Sequence, residues 1–227
     1  YGESLSLDMS SVGILQEAMG RTGLDDFGPM DFVGRLDMWL DEVANDPDRL
    51  GIGHLSLRNS CVRYAANRLL THDLLRRHPE IHDIKIERPI IIVGLPRTGT
   101  THLLNVLSAD DRLRSMPLWE SYEPIPMAGE DTDTAGVDPR YARCEKEWEQ
   151  MQMVTPHIAL MHPMDPDHVH EEIELMLPDF SSYNLEWVAR CPQWRDYYLS
   201  QDQQPHYDYM HTMLKVMTFS RPRERWI

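Results

Sequence analysis

The chain concentrates its chemistry in residues 90–101, which read Ile90-Ile91-Ile92-Val93-Gly94-Leu95-Pro96-Arg97-Thr98-Gly99-Thr100-Thr101. A β-branched run, a loop bounded by two glycines and a helix start follow one another in the order that builds a cradle for a phosphate-like anion. Gly94 lets the chain leave the strand in a conformation other residues resist, and Gly99 leaves room for the backbone to close on an anion. Amide groups from Arg97 to Thr101 fall at a helix start, where they have no carbonyl partners and where the helix dipole adds partial positive charge. Gly94 and Gly99 have the spacing of a Walker A loop, yet Thr100 stands where that motif requires lysine. With no lysine to reach the β- and γ-phosphates of a nucleoside triphosphate, the segment predicts an anion cradle and not a kinase site.

A second polar constellation comprises His168, His170, Glu171 and Glu172. Two histidines followed by two carboxylates invite a metal, but the spacing departs from H-E-x-x-H and supplies no identifiable third ligand, so no metal is expected. Glutamates there also suit the first turn of a helix, where the dipole favours negative charge.

The string Pro96-Arg97-Thr98-Gly99-Thr100-Thr101 resembles the 5′-phosphosulfate loop of sulfotransferases that use 3′-phosphoadenylyl sulfate (PAPS), the bacterial members in particular. The resemblance implies that these six residues bind the donor, with Arg97 as the cation and the Thr100 and Thr101 hydroxyls beside a nest of backbone amides. It also implies transfer of a sulfuryl group, without a metal, to a hydroxyl of a small molecule, glycan or glycolipid. Such transfer needs a base for the hydroxyl proton and donors for developing charge. Glu120 follows an expected second strand about twenty residues after the loop, where related enzymes carry a catalytic glutamate; His170 is the alternative, since other branches use histidine. Two further functions stay open: a degenerate P-loop kinase or NTPase, which would need Mg²⁺ and a Walker-B-like aspartate, and a nucleotide-binding module without turnover.

Positioning these residues requires an α/β scaffold. Val12, Ile14, Leu15 and Met19 follow a capping serine at position 10 or 11. Phe32, Leu36, Trp39, Leu40 and Val43 recur at helical spacing, and Val62, Ala65, Ala66, Leu69 and Leu70 define a helix over 56–78 whose arginines 63, 68, 76 and 77 read as solvated. After the loop, Leu103, Leu104 and Leu107 form the buried stripe of the next helix, and 112–116 reads as a strand. Residues 122–139 are irregular; helices follow at 141–153, 167–177, 194–199 and 207–219, and a strand opens at Arg225. The expected fold is a P-loop-like three-layer α/β domain around a central parallel sheet, with helical insertions. Residues 1–84 form an N-terminal helical subdomain and 85–227 the front part of the PAPS-binding domain. In the resembling family the 3′-phosphate and adenine sites come after a segment like Arg225-Trp226-Ile227, so the C-terminal part of the domain is expected beyond this sequence.

A formal charge of −15 argues against a nucleic-acid partner and against an anionic membrane face. No apolar run reaches the length of a transmembrane segment. Cys61, Cys144 and Cys191 form no C-x-x-C pair, which leaves a reducing cytoplasm as the expected location. The acceptor and the oligomeric state are not encoded in any recognisable pattern.

Overall fold

A computed structural model describes residues 7–95, 97–130 and 137–227 and, of Met161, the backbone alone. The helices of the first half are α1 (Ser11–Thr22), α2 (Phe32–Ala44), α3 (Gly51–Arg77) and α4 (Thr100–Ser108). Strand β1 (Leu113–Arg114) precedes α5 (Leu118–Tyr122), α6 (Pro139–Val154) and α7 (Ile158–Met161). Helices α8 (Asn184–Val188), α9 (Pro192–Ser200) and α10 (Gln204–Ser220) lead into β2 (Arg225–Trp226), and 3₁₀ turns occupy Pro79–Asp83 and Glu172–Asp179.

Two compact units emerge. The first runs to Arg77 and resumes at Ile173–His211; the second comprises His78–Glu172 and Thr212–Ile227. The helical unit therefore draws on a late segment of the chain as well as on its beginning.

In the first unit the helical spacing translates directly into packing. Ser10 caps α1 by accepting the Gly13 amide, and Gly23 ends it in the left-handed region at φ 69°. Phe32, Leu36, Trp39, Leu40 and Val43, the apolar stripe of α2, are all buried. They join Ile14, Leu69, Phe180 and Trp194 in one core. Helix α3 starts at Gly51, five residues earlier than its apolar pattern indicates, and stops before Pro79.

The expectation of solvated arginines fails at Arg68, which is buried. Its guanidinium is satisfied by the carbonyls of Phe27 and Pro29 and by the Asp179 carboxylate at 2.9 Å, and it lies over the Phe32 ring. Arg35 and His206 bond the same carboxylate, at 2.9 and 2.8 Å, and Ser181 donates to it as well. Burial would raise the Asp179 acid, but the His206 hydrogen bond, the charges of Arg35 and Arg68 and the Ser181 hydroxyl outweigh it and hold the carboxyl below 3.8.

The second unit holds the sheet. Strands β1 and β2 are parallel, with Leu113 opposite Arg225 and Arg114 opposite Trp226. On the far side of β2 the Ile90 amide donates to the Trp226 carbonyl at 2.9 Å. The apolar run 90–93 was expected as a buried strand; instead Ile91, Val93 and Leu95 are 75%, 88% and 76% exposed, and only Ile90 joins the ladder. Helix α4 differs from expectation in the same way: none of its residues is buried, and Leu103 and Val106 face solvent. Among the described residues, no element covers these apolar faces.

No helix of the described residues is long and apolar enough to cross a membrane.

Candidate functional site

Steric limits shape the loop before α4. A Cβ at Gly94 would sit 2.8 Å from Thr100 Cγ2 and 2.9 Å from Thr98 Oγ1, so any side chain there must displace one of these threonines. The Thr98 amide and hydroxyl both donate to the Leu95 carbonyl, at 3.3 and 2.6 Å, which closes the turn. Gly99 adopts φ 96° and Arg97 adopts φ 67°, an uncommon conformation for a residue with a side chain. Strain of this kind concentrates where proteins grip ligands.

Gly99 is also the N-cap of α4, and its carbonyl accepts the first helical bond, from the Leu103 amide at 3.0 Å. The amides of Thr100, Thr101 and His102 therefore precede the first donor that the helix itself satisfies. Arg97 is exposed and forms no ion pair with any described residue. An exposed guanidinium beside a nest of orphan amides suits an anion. Pro96, also expected in this loop, lies outside the described residues.

Arg97 and Thr101 line a cavity of about 520 Å³ together with His102, Asn105, His162, Asp165 and His168. Helix α4 supplies Thr101, His102 and Asn105. The other polar groups come from the 162–168 stretch, which is fixed by an antiparallel bridge between Pro117 and Val169. The Leu118 amide donates to the His168 carbonyl at 2.8 Å, and the His170 amide to the Met116 carbonyl at 2.7 Å.

Three imidazoles cluster there. Ring centres of His162 and His168 are 4.9 Å apart, those of His168 and His170 5.9 Å, and those of His162 and His170 6.3 Å. Burial, then the neighbouring His162 and His170, push His168 down to about 4, against a smaller opposing effect of Asp165. His168 is thus a neutral imidazole at physiological pH, able to accept a proton. His170 is buried and does not line the cavity.

Glu120 occupies a different environment. It is 5% exposed, on α5, and both oxygens are engaged: Oε1 accepts from Arg221 Nε at 2.9 Å, while Oε2 accepts from Arg114 Nη1 at 2.7 Å and Arg221 Nη2 at 2.8 Å. With Arg114, Arg140 and Arg221 it lines a smaller cavity of about 200 Å³. The fold therefore brings Arg97 and Thr101 together with histidines and brings Glu120 into an arginine cluster. Glu171 and Glu172 line neither cavity. Among the described residues, no group of three or more His, Cys, Asp or Glu side chains is arranged to hold a metal ion.

Sequence reasoning passed over His162, His102 and Asp165. None belongs to a periodic or motif-like pattern; His162 lies six positions from His168, and their rings meet at 4.9 Å.

Comparison with known proteins bears on this geometry. The sulfotransferase family profile matches residues 89–219, which contain both the Arg97 loop and the histidine cluster. The fold is similar to the crystal structure of sulfotransferase STF9 from Mycobacterium avium, with a TM-score of 0.82 and 24% identity over 100% of this chain. It is similar also to sulfotransferase STF1 from Mycobacterium tuberculosis H37Rv, with a TM-score of 0.79 and 26% identity over 95% of this chain. The chain spans 58% and 59% of those two structures. No curated protein matches it.

Proposed function

The chain belongs to the sulfotransferase family, and from that premise we propose that it takes part in moving a sulfuryl group from PAPS to a hydroxyl of a small molecule, glycan or glycolipid. The observation that carries the proposal is Arg97, without an ion pair among the described residues, in a helix-start loop and sharing one cavity with the neutral imidazole of His168. Pro96, Arg97, Thr98, Gly99, Thr100 and Thr101 would hold the 5′-phosphosulfate, the guanidinium answering charge on the sulfuryl oxygens and the amides of α4 answering the phosphate. The donor supplies an activated sulfuryl group, so no metal is needed to polarise it.

For the proton of the acceptor hydroxyl, the cavity favours the histidine cluster to which His170 belongs, with His168 and His162 the members that line the same cavity as Arg97. An anionic donor beside Arg97 raises the proton affinity of a nearby imidazole, so donor binding makes His168 a better base. Glu120 could serve in its place only after Arg114 and Arg221 release its oxygens.

We extend the proposal to the architecture. A three-layer arrangement around a parallel sheet is supported by the parallel β1–β2 pairing, to which the Ile90 amide adds one bond at Trp226. Division into a helical subdomain and a PAPS-binding domain is supported by the break between Arg77 and His78. A reducing, cytoplasmic setting accords with three free, buried cysteines.

Calorimetric titration of the full-length protein with adenosine 3′,5′-bisphosphate, and separately with ATP and Mg²⁺, tests the function. Metal-independent binding of the bisphosphate that disappears in Arg97→Ala is the expected result. Preference for the Mg²⁺ complex of ATP would overturn it in favour of a kinase-like loop, and binding without any turnover would point to a non-catalytic module.

A further inference from the structure

The small cavity beside Glu120 has a charge imbalance. Three guanidiniums line it, those of Arg114, Arg140 and Arg221, against two carboxylates, Glu120 and Asp138. Both carboxylates are already saturated. Arg140 takes both oxygens of Asp138, at 3.0 and 2.7 Å, while Arg114 and Arg221 take those of Glu120. One positive charge is left over in a space of about 200 Å³.

Arg114 is the least satisfied of the three. Its side chain is 2% exposed, and its Nε meets no hydrogen-bond acceptor among the described residues. Nη1 bonds Glu120 and the Ser115 carbonyl, Nη2 reaches the Met217 carbonyl only at 3.5 Å, and the Trp226 ring covers one face at 4.8 Å. Burial pushes this arginine down to about 10 even with Glu120 beside it. A guanidinium buried with a donor to spare, at the edge of a cavity walled by two more, is an arrangement suited to an anion.

We propose that this cavity binds one oxyanion of sulfate or phosphate size, either as a free ion or as a group carried by a larger molecule, with Arg114 and Arg221 as its principal cationic contacts. The site differs from the Arg97 loop in every lining residue.

The test follows the Nε–Hε signals of ¹⁵N-labelled arginine while sodium sulfate is added at constant ionic strength, with phenyl phosphate as a second probe. A saturable shift of the Arg114 signal, weakened about tenfold or more in Arg221→Gln and unchanged in Arg97→Ala, is the expected result. Equal or tighter response to phenyl phosphate would assign the cavity to a group on a larger ligand, and response to sulfate alone to the free ion. A flat Arg114 signal would overturn the proposal and leave water as the partner of Nε. A shift abolished by Arg97→Ala but retained in Arg221→Gln would overturn it too, because the anion would then sit at the loop. Should Arg221→Gln not fold, the wild-type Arg114 signal alone still decides.

Discussion

Arg221 grips both carboxylate oxygens of Glu120, Nε to Oε1 at 2.9 Å and Nη2 to Oε2 at 2.8 Å, across 101 positions of sequence. Arg114, on β1, adds a third bond to the same carboxylate. Glu120 therefore ties β1 to the turn between α10 and β2, next to the parallel pairing of the two strands. Fork-on-fork pairing fixes geometry as well as charge, and it explains why this glutamate is buried.

Glu120→Ala should cost about 3–5 kcal/mol of stability in urea unfolding, because it leaves Arg114 buried without its carboxylate. Glu120→Gln should also destabilise, since an amide cannot accept on both ends. If Glu120→Gln instead unfolds like the parent yet has no turnover, Glu120 serves the acceptor proton and the arginine pairing is a resting arrangement.

How legible this site was in the sequence depends on the range of the interactions. The α2 stripe and the Gly94–Thr101 loop are local patterns, set by helical period and by turn sterics, and both could be read from neighbouring residues. Arg68 and Glu120 could not. Each is buried because partners more than a hundred residues away satisfy its charge, and one-dimensional patterning assigns such residues to the surface. The run at 90–93 is the opposite case: its apolar pattern calls for covering layers, and among the described residues Ile91 and Val93 stay exposed. The late return of Ile173–His211 to the helical unit left no mark in composition at all.

His168 should titrate near 4 by NMR rather than at the ordinary 6.5. Between those values the unfolded chain takes up a proton that the folded chain refuses, so stability should fall as pH drops from 6.5 toward 4. His162→Gln removes one neighbouring charge and should move the midpoint upward. In an enzyme with His168 as base, the acid limb of activity should move with it; a limb that ignores His162→Gln would exclude this imidazole.

Asp179→Asn should destabilise the helical unit by about 3–5 kcal/mol, since Arg35, Arg68 and His206 would all lose one buried carboxylate. The carboxyl is held below 3.8, so its contribution is complete above that value and disappears as pH falls through the lowered one. Acid unfolding followed by circular dichroism should accordingly lose part of its steepness in the variant. An Asp179→Asn protein as stable as the parent would mean that the three cations find other partners.

Gly94→Ala separates the loop's shape from the stability of the whole. The added Cβ would press on Thr100 Cγ2 at 2.8 Å and on Thr98 Oγ1 at 2.9 Å, and Thr98 cannot yield without losing its 2.6 Å bond to the Leu95 carbonyl. The first turn of α4 must then move away from Arg97. Because the loop is exposed and no residue of α4 is buried, the cost in stability should stay near 1–3 kcal/mol. Binding of adenosine 3′,5′-bisphosphate should suffer more, as the amides of Thr100, Thr101 and His102 lose their convergence. Gly34→Ala is the control: nothing lies within 4 Å of its would-be Cβ, and alanine in a helix is favoured over glycine by about 1 kcal/mol. Calorimetry on the two variants should find binding lost in the first and kept in the second. Undiminished binding in Gly94→Ala would mean that the anion is held by Arg97 alone, without the helix start.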